Sequence, residues 1–238
     1  MPADDRFRLS GDEGVGQFEP ADVHQPAFAR LDAATLRRLM DVGGLSATAS
    51  DVLDELGWQL AVPGHVVPAR NGESRSVAGH AVTLAYLPAR RTLAGTRGDG
   101  GPPKLAHHVA FRVAQAGDIV VIDGRGLDLS LLGGRAAAAA LRAGIGGAVV
   151  DAGIRDLDDI HRLGFPVWAR HVTPITGKLR AEAVAVNRPV TCAGVQVHPG
   201  DLVIADETGI CFVPNQLAEA VAERIFEVAK LEAADIEP

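Results

Sequence analysis

Three charged side chains at the end of one apolar segment, Asp151, Arg155 and Asp156, are the residues of this sequence best placed to do chemistry. They lie in VVDAGIRDLDDIHRLG (149–164), where Gly147-Ala148-Val149-Val150 reads as a buried strand that turns at Gly153 and leads into a helix. A buried strand needs no carboxylate at its end, and the carboxyl end of a strand in an α/β unit is where ligands bind. Asp156 is the candidate metal ligand, because Mg²⁺ takes hard oxygen donors, commonly one or two carboxylates, and keeps several waters. Arg155 would face a carboxylate or a developing enolate. The same residues admit a structural account, in which Asp156 caps the helix and Arg155 pairs with it at the surface.

A second constellation is Asp123-Gly124-Arg125-Gly126 with Gly133-Gly134-Arg135, which reads as a glycine-rich connection from a strand to a helix. Backbone N–H groups at a helix N-terminus can receive an anion, although a plain βα turn with solvated arginines has the same composition. Consecutive parallel strands open their turns on one edge of the sheet, which would set this connection beside Arg155. Lys178, in the turn Pro174–Lys178, could reach a substrate carboxylate. Gly144-Ile145-Gly146-Gly147 precedes its strand, so it is no dinucleotide-binding loop. The eight histidines show no metal spacing on one helix face, and the adjacent His107 and His108 point apart.

The elements that must position these residues follow from periodicity. Helices are expected over Asp32–Met40 and Ser46–Leu56, the second with Ser46 or Thr48 as N-cap and Gly57 as its stop. A strand follows at Ala78–Tyr86, then a loop rich in Gly, Pro and Arg at Pro88–Lys104 that could cover a site. Next come helix Ala106–Ala114, strand Asp118–Ile122, helix Gly133–Arg142, strand Gly147–Asp151, helix Asp156–Leu163 and strand Val167–Arg170. This βαβαβ order implies parallel strands with right-handed crossovers. Beyond Pro174 short strands take over, at Val190–Cys192, Val195–Val197, Leu202–Ala205 and Ile210–Val213. A final amphipathic helix runs from Gln216 to about Ala233. Residues 1–28 are polar and aperiodic and read as an extended arm, leaving 29–238 as a single domain.

With 238 residues, 47% of them hydrophobic, the chain can fill a full interior. Its net charge of −7 and lack of a basic run argue against nucleic acid as a partner. No apolar run reaches the ~20 residues of a membrane span, and the acidic first segment is no signal peptide. Cys192 and Cys211 lie in apolar stretches without metal or disulfide spacing, which fits a reducing cytoplasm.

Several segments in order resemble the RraA-like family, which includes 4-hydroxy-4-methyl-2-oxoglutarate aldolases and the regulator of ribonuclease E activity. They are GDIVVIDG (117–124), LLG (131–133), GAVVDAGIRD (147–156), LGFPVWAR (163–170), VNRPV (186–190) and PGDLVIAD (199–206). The resemblance spans roughly residues 44–214. It implies a swivelling α/β/β sandwich with parallel βαβ units and a β-rich C-terminal layer, assembled as a homotrimer or homohexamer with sites between subunits. It also implies that Asp156 binds Mg²⁺ or Mn²⁺, that Arg155 contacts the pyruvate portion of a 2-oxo acid substrate, that Gly133, Gly134, Arg135 and Ala136 form the loop holding substrate oxygens, and that Lys178 binds substrate. The activity implied is a metal-dependent lyase, an aldolase or an oxaloacetate decarboxylase, that releases pyruvate. Some relatives are instead non-catalytic regulators. One departure stands out: aldolases of the family carry an acidic residue directly after the first Gly of the loop, where this chain has Gly134 and then Arg135. The proton relay therefore lacks its side chain, and Arg135 could recognise an extra anionic group.

Overall fold

The computed structural model describes residues 23–72, 75–90 and 105–236. Most of the arm expected over 1–28, and most of the loop expected over 88–104, lie outside the described residues. The helices are α1 (Ala33–Met40), α2 (Leu45–Glu55), α3 (His107–Val113), α4 (Gly134–Arg142), α5 (Leu157–Leu163) and α6 (Ala218–Ile236). The strands are β1 (Ala61–Pro63), β2 (Val77–Pro88), β3 (Ile119–Leu132), β4 (Gly147–Ile154), β5 (Val167–Val172), β6 (Ala181–Val186), β7 (Val190–Cys192), β8 (Val195–Val197), β9 (Leu202–Ala205) and β10 (Gly209–Val213).

The architecture is mixed α/β with a parallel half and an antiparallel half. Strands β2, β3, β4 and β5 pair in parallel, in that order, and α3, α4 and α5 are the three crossovers between them. Strand β2 belongs to both halves: Val77–His80 pair antiparallel with β9, and Ala81–Ala85 pair parallel with β3. Its first ten residues are all buried, so the alternation expected for Ala78–Tyr86 gives way to burial on both faces. The reason is the layering. Val82, Leu84, Val120, Ile122, Val150 and Ile154 pack with α3, α4 and α5 on one face. Ala81, Ile119, Val121, Val149 and Trp168 pack on the other against Val190, Cys192, Val203 and Phe212 of the β-rich layer. A third cluster joins α1, α2 and α6 to the outer face of β9 and β10 through Leu39, Leu53, Ile204, Val213, Val221 and Ile225. Each fully buried Leu, Ile or Val in these layers contributes about 1.5–3 kcal/mol.

Two further expectations need correction. Strand β3 does not stop at Ile122; it continues to Leu132 through a bulge, with the register shifting between Ile122 and Leu127 and with Arg125 and Gly126 at φ 53° and 70°. Glycine-rich turn chemistry is absorbed inside a strand. Helix α2 starts at Leu45 behind Gly44, whose φ of 62° suits a glycine, and neither Ser46 nor Thr48 is its N-cap. The Ser46 N–H and hydroxyl instead donate to Asp206 at 2.8 and 2.6 Å. Strands β1 and β6, unread from the sequence, pair with β10 and β2.

Residues 23–32 form a strap that spans both halves, from the end of β6 to the turns that precede β3 and β9. Val23 bridges Val186, Phe28 fills the space a Cβ on Gly200 would need, and Arg30 holds Asp118 with two bonds of 2.6 and 3.0 Å. The Leu31 N–H donates to His80 Nε2 at 3.0 Å, while His80 Nδ1 lies 2.8 Å from the Gly200 carbonyl. An N–H can only donate and a carbonyl can only accept, so His80 must be neutral with its proton on Nδ1. Burial accordingly pushes its pKa below the usual 6.5, with Arg30 adding to the shift and Asp118 and Asp201 opposing it. The folded-state pKa is the depressed one, so this contribution to stability is present above pH ~6.5 and lost as pH falls through the folded value. Urea midpoints taken at pH 7.5 and 5.0 should fall less in His80→Asn than in the unmodified protein. Equal pH dependence would show that the strap is not latched through this ring.

Candidate active site

The site is built by strand register. Leu132 at the end of β3 and Ile154 at the end of β4 are paired neighbours, so the residues that follow them, Gly133 and Arg155, leave the sheet side by side. The Arg155 N–H donates to the Leu132 carbonyl at 3.1 Å and locks that junction. From there one segment enters α4 and the other enters α5.

Asp156 stands at the N-cap position of α5 in the left-handed conformation, φ 56° and ψ 47°, and its side chain makes no capping bond. The capping part of the structural account of Asp156 therefore fails, whereas its pairing with Arg155 at the surface is present. Its Oδ2 instead accepts the Gly134 N–H at 3.1 Å and lies 3.5 Å from Arg155 Nε. Both side chains are part-open to solvent, 40% for Asp156 and 38% for Arg155, so they are reachable by a ligand and their mutual attraction is screened. Asp tolerates the left-handed region better than most residues but still at a cost, and α5 gains no cap in return.

The two glycines make this possible. A Cβ on Gly133 would lie 2.7 Å from Asp156 Oδ2 and 3.0 Å from Arg155 Cγ, so a side chain there would displace both. A Cβ on Gly134 would lie 2.6 Å from Asp159 Cβ and 2.7 Å from Asp159 Oδ2. Asp159 thus reaches the start of α4 from the first turn of α5, and Arg162 pairs with it one turn further on. Nothing in the sequence reading singles Asp159 out. Gly133 offers no side-chain cap, and the first N–H groups of α4 beyond Gly134 have no partner within the helix by geometry.

The structure brings Gly133, Gly134, Arg155 and Asp156 together. Arg135 is exposed and Ala136 half-buried on the first turn of α4. Lys178 is exposed; its turn is tied to β3 through Ser130, whose N–H and carbonyl bond Ile175 and Gly177 at 2.7 and 2.8 Å, but no contact joins Lys178 to Arg155 or Asp156. Asp151 is not part of the cluster. Side chains alternate along β4, and Asp151 shares its face with Val149 rather than with Val150 and Ile154. It is buried against the β-rich layer, where it pairs with Arg170 and accepts the Ala193 N–H at 2.8 Å. Asp123 does the same one strand over, accepting N–H groups from Thr191 at 3.2 Å and Arg125 at 3.1 Å. These two buried carboxylates pin the β7–β8 hairpin, and burial raises the Asp123 pKa. Cys192 lies between them, and burial followed by those two charges pushes its thiol far above the ordinary range, so it is inert.

Among the described residues no group of three or more His, Cys, Asp or Glu could hold a metal ion. The donor set at Asp156 still fits a hard divalent cation that retains most of its water, because the carboxylate is part-exposed and does not cap its own helix. It does not fit a closed zinc site, which needs four protein donors.

A profile of the family described as RraA-like, Aldolase/RraA, matches residues 46–212. Protein DlpA of Legionella pneumophila is 28% identical over 186 residues, covering 77% of this chain and 28% of that protein. A 4-hydroxy-4-methyl-2-oxoglutarate aldolase of Thermus thermophilus is 33% identical over 101 residues, covering 42% of this chain and 61% of the enzyme. The chain thus spans less than two thirds of the length of these curated relatives. Among solved structures, Streptomyces coelicolor RraAS2, described as an unusual member of the RNase ES inhibitor RraA protein family, superposes with a TM-score of 0.73 at 29% identity, covering 89% of this chain and 100% of that one. Matched over most of its length by the family profile and with the β3–α4 and β4–α5 junctions lying inside that match, the chain belongs to the RraA-like family.

Proposed function

We propose that this protein is a divalent-metal-dependent carbon–carbon lyase, an aldolase or oxaloacetate decarboxylase, that cleaves a hydroxylated or carboxylated 2-oxo acid and releases pyruvate. The observation that carries the reading is the Asp156 carboxylate, held in a left-handed conformation, leaving its own helix uncapped, and meeting Arg155 and the Gly134 N–H where α4 begins. The aldolase name of the Thermus thermophilus relative supports the same class.

Asp156 would hold Mg²⁺ or Mn²⁺, and the bound ion would supply Lewis-acid polarisation of the substrate ketone. Arg155 binds the substrate carboxylate through its guanidinium and keeps a fixed positive charge beside the carbon–oxygen bond that becomes an enolate. The N–H groups of Arg135 and Ala136, on the first turn of α4, face substrate oxygens with no competing partner in the helix. Arg135, exposed on the first turn of α4, selects substrates with a further anionic group, and Lys178, exposed on its own turn, is proposed to bind substrate as well. In the full assembly we propose a cytoplasmic homotrimer or homohexamer with 29–238 as a single domain, no nucleic-acid or membrane partner, and residues 1–28 as an arm whose end, 23–28, packs on that domain. Among the described residues no helix is long and apolar enough to cross a membrane.

The test is pyruvate release from a panel of 4-hydroxy-2-oxo acids and oxaloacetate, with Mg²⁺ or Mn²⁺ and with chelator. Release that stops with chelator supports the lyase. Release from no compound would favour a second reading, a non-catalytic regulator, which the description of the Streptomyces coelicolor neighbour and the lack of an acidic side chain in the loop Gly133–Ala136 support.

A narrower prediction concerns Gly133. The methyl of Gly133→Ala would lie 2.7 Å from Asp156 Oδ2 and 3.0 Å from Arg155 Cγ, and both part-exposed side chains can shift towards solvent to escape it. Turnover should fall about 100-fold with little change in melting temperature, because the loss is one of orientation. Normal turnover in this variant would mean that the Asp156 carboxylate need not lie over Gly133.

A further inference from the structure

A cavity of 440 Å³ lies where α5 closes at Gly164, φ 61°, at the opposite end of that helix from Arg155 and Asp156 and about 10 Å along its axis. The volume falls within the ~300–1,000 Å³ of small-molecule sites. Asn71, Arg75, His161, Arg162 and Leu163 are on its wall, and among the described residues that line it none is acidic, although the chain carries a net charge of −7. Arg75 is held against the helix end by a bond of 3.0 Å from one Nη to the Gly164 carbonyl, and Arg162 pairs with Asp159 along the helix surface. His161 Nε2 lies 3.0 Å from the Arg70 carbonyl, which can only accept, so that nitrogen carries a proton. The carbonyls of Ile160 and His161 at this helix end already accept the N–H groups of Phe165 and Gly164, at 3.3 and 3.0 Å, which reduces their repulsion of an anion. Asn71 is the residue that points to a ligand. Its Oδ1 accepts the Val167 N–H at 2.7 Å, and because an N–H can only donate, the orientation of the amide is fixed. The Nδ2 on the other side is a buried donor with no acceptor among the described residues. Leaving such a donor unmade is costly, and an acceptor arriving from outside the fold would satisfy it.

We infer that this cavity binds a small organic oxyanion, a carboxylate or a phosphate ester, whose charged head is held by Arg75, Arg162 and the Asn71 amide and whose carbon skeleton lies on Leu163. Arginine guanidinium groups suit carboxylate and phosphate oxygens equally, and an amide N–H adds a directed bond to either. The cavity is larger than a bare inorganic ion needs, and Leu163, 37% exposed, offers apolar surface for the remainder of the ligand to cover. The inference does not rest on the lyase reading. Its residues are distinct from Gly133, Gly134, Arg155 and Asp156, so the two sites can be filled at once.

Benzoate and phenyl phosphate, which share a carbon skeleton and differ in head group, separate the two sources of the anion, and inorganic phosphate at equal ionic strength reports general attraction to positive surface. Calorimetry on the full chain should show saturable binding of benzoate, of phenyl phosphate or of both, and at least tenfold weaker binding of inorganic phosphate. The chain has three asparagines, Asn71, Asn187 and Asn215. With ¹⁵N-asparagine labelling, the Asn71 side-chain amide, assigned by its absence in Asn71→Asp, should shift with the calorimetric midpoint while the other two stay in place. Arg75→Gln and Arg162→Gln should each weaken binding about tenfold. Asn71→Asp keeps an acceptor for the Val167 N–H and sets a negative charge where the donor was, so it should abolish binding with little change in melting temperature. Arg155→Gln should leave affinity within about twofold. Binding of neither organic anion would overturn the assignment. So would affinity that is lost in Arg155→Gln but kept in Arg75→Gln, which would put the anion at the candidate active site, or binding that leaves the Asn71 amide unshifted.

Discussion

Asp156→Ala is expected to reduce metal-dependent pyruvate release by on the order of 1000-fold or more while leaving the melting temperature nearly unchanged. The two halves of that expectation come from one geometry. An N-cap aspartate normally holds the first turn of its helix, and its loss costs about 1 kcal/mol. Here the side chain makes no cap, and α5 begins on the backbone bonds from Asp159 N and Ile160 N to the Asp156 carbonyl, which alanine retains. Asp156→Gly should be equally inactive, and it removes the Cβ from a residue at φ 56°, where glycine is at ease. Activity assays and thermal melts on the two variants check this directly. A fall in melting temperature of about ten degrees in Asp156→Ala would make the carboxylate a structural group and withdraw the functional reading.

Asp206→Ala should be the most destabilising single carboxylate removal, costing about 3–4 kcal/mol. Asp206 is 8% exposed. Its Oδ2 accepts the Ser46 N–H at 2.8 Å, and its Oδ1 accepts the Ser46 hydroxyl at 2.6 Å, the Thr208 N–H at 2.8 Å and the Gly209 N–H at 3.3 Å. One carboxylate therefore supplies the missing cap of α2 and closes the turn between β9 and β10. Alanine would strand buried donors on both. For a chain of this size the loss corresponds to a drop of about 10 °C in melting temperature. Ser46→Ala, which removes only the hydroxyl bond, should cost about 1 kcal/mol. Similar melting temperatures for Asp206→Ala and Ser46→Ala would refute the hub.

The parallel half is readable because its signals are local: the apolar segments at 118–122, 147–151 and 167–170, separated by helical spacing, suffice for the crossovers that join β3, β4 and β5. What escapes reading depends on partners remote in sequence. Strand β6, AEAVAV, is too short and too small in side chain to announce itself and is made a strand by pairing with β2. The stretch Asp123–Gly126 has turn chemistry, and the structure uses it as a bulge that carries β3 on to Leu132. Ser46 looks like a cap but serves a carboxylate 160 residues away. At the site, Arg155 and Asp156 are visible as a charged pair after a strand. The period of two along β4 already places Asp151 with Val149, on the wrong face to join them. Asp159 cannot be distinguished from a solvated helix residue until Gly134 is seen beneath it.

The layout of the two halves also bears on how the chain is made. The parallel half is encoded in a continuous middle stretch, from β2 to β6, whereas the antiparallel half joins α1 and α2, which precede it, to β9, β10 and α6, which follow it. As translation proceeds from the N-terminus, α1 and α2 leave the ribosome early and wait, with Leu39, Leu45, Val52 and Leu53 unburied, until Ile204, Val213, Val221 and Ile225 have been synthesised. During that interval the nascent chain carries an uncovered apolar surface beside a layer already able to fold, and it is there that a holding chaperone would act.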